Sequence, residues 1–121
     1  MSADGNPEDL LPGCVRFAKE TRAFIRSLKV DLANVEDSKQ LIKSLGSIGA
    51  NYIEAQEALS KKDFVYRCKV SRKESRESAY WLTLINTFDA EDLETERKRL
   101  LQEAVELKLI FNAFIKNSSP D

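Results

Sequence analysis

The segment SKKDFVYRCKVSRKESRESAYWLTLINT, residues 60–87, carries apolar and small residues at three- and four-residue spacing and no alternation of the kind a strand shows. Ser60 followed by an acid at Asp63 has the form of a capping box, so a helix is expected to start there and run to about residue 87. At 100° per residue, Phe64, Cys68, Ser71, Ser75, Ser78, Leu82 and Ile85 fall on one arc. Lys62, Tyr66, Lys69, Lys73, Arg76 and Tyr80 fall on the opposite arc, with Arg67, Val70, Glu74 and Trp81 on a flank between them. An inward arc this rich in serine lets a neighbouring helix come close.

Outward from this segment the same period recurs. Leu41, Leu45, Ile48 and Tyr52 form a row on a second helix expected over about 39–58, with Asn34, Asp37 and Ser38 as its possible caps. Gly46 and Gly49 lie inside it, where a tight helix crossing is the expected reason for them. A first helix is expected over about 12–28, with Pro12 in its first turn and Cys14, Ala18, Thr21, Ile25 and Leu28 on its apolar stripe. The fourth is expected over about 90–116, opening on Glu91, Asp92 and Glu94, where acids complement the helix dipole. Residues 1–10 and 117–121 are polar and read as tails, which leaves residues 11–116 as one domain. The expected fold is all-α, an up-down antiparallel four-helix bundle.

Composition agrees and excludes several function classes. The 121 residues suffice for one core, and 4 Gly and 3 Pro are few. There is no histidine, which removes the commonest general base and the Ser-His and Cys-His pairs. No phosphate-binding loop, dinucleotide fingerprint, nucleophile elbow or metal-ligand spacing occurs, so no enzyme, metal site or cofactor is expected. Cys14 and Cys68 read as small buried hydrophobes in a reducing compartment. No membrane span and no apolar leader is visible, and the expected location is the cytoplasm.

The net charge is −1, but it is unevenly placed. Between residues 60 and 76, seven bases face two acids, and elsewhere twelve face eighteen. Lys61, Lys62, Lys69, Arg72, Lys73 and Arg76, with Tyr66 and Tyr80 available to stack on bases, make the candidate nucleic-acid contact, with RNA preferred over DNA. An ordinary solvated outer face is the competing account. In the fourth helix, Leu107, Leu109, Ile110, Phe111, Phe114 and Ile115 crowd into nine residues, and a helix apolar on all sides must bury all sides. These residues, with Trp81, are therefore the candidate contacts between copies in an oligomer.

SIGANYIEA (residues 47–55), SKKDF (60–64) and KESRESAYWL (73–82) together resemble the bacterial four-helix bundle family also described as ribosomal RNA intervening-sequence proteins. The resemblance covers about residues 40–84 and implies an up-down bundle assembled as a homopentamer. It further implies similarity to the accessory protein of diversity-generating retroelements, a pentamer that binds nucleic acid and a reverse transcriptase through a basic surface. Lys69 and Arg72 depart from the family's habit of a small and an apolar residue. Among the matching residues, Asn51 and Glu54 lie one turn apart and Arg67 and Glu74 two turns apart, so a polar network around Trp81 is expected to fix helix register or a subunit contact. The resulting expectation is a non-enzymatic, homo-oligomeric scaffold that binds RNA; the alternative is a protein-only adaptor for a polymerase or a mobile-element or phage partner.

Overall fold

The computed structural model describes the backbone of residues 7–118, with side chains from Asp9 onward. It consists of α1 (Pro7–Arg26), α2 (Leu32–Gln56), α3 (Lys61–Leu84) and α4 (Glu91–Ser118). Short connections join consecutive helices, which forces antiparallel neighbours. Each helix packs on its chain neighbours and α1 closes the ring against α4, giving an all-α four-helix bundle with no strand among the described residues.

The helix ends differ from their expected places for identifiable reasons. Helix α1 begins at Pro7, so Pro12 lies inside it, and Leu10 is a core residue rather than part of a tail. The expected tail is thereby cut to residues 1–6, which lie outside the described residues, as do 119–121. Helix α2 begins about two turns early because Asp31 caps it, its carboxylate accepting the Asn34 N–H at 3.3 Å. Ser60 caps α3 as expected, accepting the Asp63 N–H at 3.0 Å. That helix stops at Leu84 because Ile85 is already extended (φ −61°, ψ 134°).

The core is built from Leu10, Phe17 and Phe24 of α1, Leu41, Leu45 and Ile48 of α2, Leu82 at the end of α3 and Leu100, Leu107 and Phe111 of α4. Cys14 and Cys68 are buried free thiols, and burial raises their pKa values to about 12 and about 11, which suppresses thiolate chemistry. Between α2 and α3 the apolar layer gives way to serines. Ser71 donates to the Ile48 carbonyl at 2.8 Å, and the Ser44 and Ser78 hydroxyls meet at 2.8 Å. Ser44 also reaches the Leu41 carbonyl, and Ser78 the Glu74 carbonyl. Three contacts share two hydroxyl protons, so every oxygen in this seam is partnered without any charge being buried.

Two expectations about packing are corrected. Gly49 faces α1, but a Cβ there would make only ordinary contact, 3.5 Å from the Cys14 Cβ, and nothing lies within 4 Å of a Cβ at Gly46, so neither glycine is required by a close helix crossing. Gly46→Ala is therefore expected to stabilise the protein by about 0.5–1 kcal/mol, relieving the glycine penalty in α2. The check is a thermal melt, and an unchanged or lower melting temperature would contradict it. The second correction concerns the apolar end of α4. Leu107, Ile110, Phe111 and Ile115 form one stripe buried in the bundle's own core, unavailable to a second copy. Phe114 is covered from the side, its ring stacked on Phe64 at 6.4 Å and tilted against Tyr52 at 6.2 Å. Only Leu109 of this group is substantially exposed, and Trp81 is half-buried beside Tyr80.

Candidate nucleic-acid interface and adjoining cleft

Because α3 spends its inward arc on small residues, its opposite arc is thrown outward. Lys62, Lys69, Lys73 and Arg76 are exposed there, as is Lys61 at the helix start, and Tyr66 and Tyr80 are 60% and 56% exposed. Ion pairs among the described residues join Lys39 to Glu36, Arg97 to Glu94, and Arg99 to Glu20 and Glu96. None draws on these five α3 cations, although Lys73 acts on the neighbouring Glu74 carboxylate; the face as a whole presents net positive charge to an external anion. Arg72 separates from them: it lies on the α4 flank and donates to Asn112 Oδ1 at 2.9 Å, acting as a helix-to-helix tie.

The expected four-residue polar network divides into two. Arg67 donates to Asn51 Oδ1 at 3.0 Å and lies over the Tyr66 ring at 5.6 Å, while Asn51 donates back to the Ser47 carbonyl at 2.9 Å. Glu54 is exposed and stands apart from this tie. Glu74 lies two helical turns, about 10 Å, along the axis from Arg67, too far to join it. Glu74 instead lies beside Glu77 and feels its charge.

Glu74 belongs to a cleft of about 690 Å³ between α2 and α3. Its α3 wall comprises Lys73, Glu74, Arg76, Glu77, Tyr80 and Trp81, so three of the outer-arc residues turn toward it. The α2 wall comprises Gln40, Lys43, Ser44 and Ser47. Of these residues, Gln40, Lys43, Ser44, Ser47 and Glu77 lie outside the candidate sites that the sequence offers. The available signal was the polar i, i+3, i+7 spacing of residues 40, 43 and 47, which puts one side of α2 beside the serine seam.

Burial, and then the charge of Glu77, raise the Glu74 pKa above the ordinary carboxylate value; the hydrogen bond that a protonated Glu74 donates to the Glu77 carboxylate adds to this, and Lys73 and Lys43 act against it. The folded chain holds the Glu74 proton more tightly than the unfolded chain, so this residue's contribution to stability grows as pH falls from neutrality toward the ordinary carboxylate value of 4.5. Glu74→Gln is expected to raise the melting temperature at pH ~7 and to remove that part of the pH dependence. Parallel melts of parent and variant across this range check it, and a variant that melts lower with the parent's pH slope would overturn it. Among the described residues no group of acids and cysteines is placed to hold a metal ion.

The model of one protein family, described as 23S rRNA-intervening sequence protein, matches residues 13–113. Among solved structures the chain is similar to a protein of unknown function from the S23 ribosomal protein family of Bacteroides thetaiotaomicron. That likeness has a TM-score of 0.71 at 24% identity, over 88% of this chain and 98% of the other. At that identity it shows a common fold. No curated protein matches the chain.

Proposed function

The chain belongs to the 23S rRNA-intervening sequence protein family, and from that premise we propose that it is a non-enzymatic RNA-binding scaffold of the cytoplasm. The supporting observation is the outer face of α3, where Lys69, Lys73 and Arg76 lie between the exposed Tyr66 and Tyr80, with Lys62 one turn before Tyr66, and none of the four is in an ion pair. Such a face holds phosphates with its cations and unpaired bases with its rings, without reading sequence. No helix among the described residues is long and apolar enough to cross a membrane.

The test is fluorescence anisotropy of a short single-stranded RNA at increasing salt. Affinity should fall steeply with salt. The double variant K69E/K73E should bind at least ~10-fold more weakly to every sequence, with a salt slope shallower by about 2. Salt-insensitive binding, or equal binding by the variant, would contradict the reading.

Assembly of several copies would add such faces together. With the end of α4 internal to the bundle, support for a homo-oligomer, expected to be a pentamer, moves to the α1–α2 edge. A groove of about 330 Å³ there is lined by Leu11, Val15 and Ile53 over the small residues Gly46, Gly49 and Ala50. Light scattering after size exclusion gives the copy number. The same apolar groove favours a second reading, in which the protein is an adaptor for a polymerase or a mobile-element partner. A complex that survives nuclease treatment would favour that reading.

A further inference from the structure

We propose that the cleft between α2 and α3 is a guanine-nucleotide pocket, in which Lys43, Lys73 and Arg76 hold the phosphate, the packed pair Tyr80 and Trp81 offers ring surface to the base, and Glu74 and Glu77 read its edge. Its volume, about 690 Å³, lies in the range of small-ligand sites and suits one nucleotide. Three cations and two carboxylates line one concavity, yet none of the cations is ion-paired within it. Lys73 and Glu77 have the four-residue spacing at which helix surface charges normally pair, and they remain apart. Charges held separately in a cleft are available to a ligand that carries both an anion and a polar edge.

Each part of the lining selects a part of that ligand. Lys43 on α2 faces Lys73 and Arg76 across the groove, and a phosphate dianion is the compact group that two walls of cations can share. Tyr80 is more than half exposed and meets Trp81 edge-to-face at 5.0 Å, which leaves ring surface for a planar base. An ionised carboxylate only accepts hydrogen bonds. Guanine is the base that places two donors, N1–H and the N2 amino group, side by side for one carboxylate; adenine, cytosine and uracil each offer a single donor position on that edge. The carboxyl pair is crowded, Glu74 being half-buried beside the like charge of Glu77. Donors arriving from a base would relieve that crowding.

The nucleotide could be free or an unpaired guanosine within RNA, and only the latter source rests on the RNA-binding reading. Trp81 is the chain's single tryptophan, so its fluorescence reports on this cleft alone. Titration with GMP, AMP, CMP and UMP is the test, with calorimetry to exclude optical artefacts. GMP should quench saturably and bind about 10-fold or more tightly than the other three, the discrimination expected of one bidentate contact. Glu74→Gln, which is expected to fold at least as well as the parent, should abolish that preference, and Lys43→Ala should weaken all four nucleotides. A short RNA with one unpaired guanosine should also outcompete its adenosine counterpart. If GMP leaves Trp81 unchanged, or all four nucleotides bind alike, the pocket is refuted, even where RNA still binds the outer face of α3. If GMP binds selectively and no RNA does, the pocket stands and the RNA reading falls.

Discussion

Ser71→Leu is expected to destabilise the protein by about 3–4 kcal/mol and lower its melting temperature by roughly 10–15 °C. Ser71 is fully buried between α3 and α2 and donates to the Ile48 carbonyl at 2.8 Å. Serines recur one turn apart at Ser71, Ser75 and Ser78, and all three are buried. A leucine at the first position of this run places three heavy atoms beyond Cβ where serine has one, against a facing helix backbone that moves only as a rigid rod. The helices must separate along their length, opening the Ser44–Ser78 contact as well. Ser71→Ala removes the hydrogen bond without adding bulk and should lose only about 1 kcal/mol. Chemical denaturation of the two variants separates the effects: if leucine is no worse than alanine, close approach is not what the serines provide.

How much of this was legible in the sequence depended on whether a residue's role was set by its own helix. The period placed Leu41, Leu45, Ile48 and Tyr52 inward, together with the serine arc of α3 and the outward Lys62, Lys69, Lys73 and Tyr80, because each position follows from 100° per residue. The capping of α3 was legible for the same local reason. What failed depended on a partner elsewhere in the chain. Leu10 lies in an acidic, polar stretch and becomes core only because the bundle has room for it. The last turns of α4 look apolar all round, but Phe64 and Tyr52 cover the flank that appeared to need another copy. Arg72 sits among bases in sequence, yet its angle on the helix sends it to Asn112 on α4. The cleft needed both walls at once: the polar spacing of residues 40, 43 and 47 marks one side of α2, but nothing local says that Glu74 and Glu77 lie beside it.

Asn34→Ala should have the second large effect, a loss of about 2–4 kcal/mol, although a residue near a helix start would ordinarily tolerate alanine well. Asn34 is 3% exposed, and its amide makes two long-range bonds: Nδ2 donates to the Asn86 carbonyl at 2.8 Å, and Oδ1 accepts the Asn86 N–H at 2.9 Å. Together these form a backbone-like pair that ties the start of α2 to the α3–α4 connection across 52 residues of sequence. The connection needs the tie because Phe88 and Asp89 both adopt positive φ, 54° and 61°, a conformation unfavourable to residues with a side chain. Arg97 braces the same corner, donating to the Leu82 carbonyl at 3.1 Å and reaching the Ile85 carbonyl and Glu94. Alanine at position 34 leaves both Asn86 backbone groups without their partner. Asn34→Asp retains the acceptor but loses the donor and sets a carboxylate against the Asn86 carbonyl, so it should be no better than alanine. Because α3 and α4 are joined through this corner, amide exchange at Asn86 and Phe88 should accelerate well before the bundle core in either variant. If Asn34→Ala melts within about 0.5 kcal/mol of the parent, the corner is held without the Asn34 tie, by Arg97 and its own local hydrogen bonds.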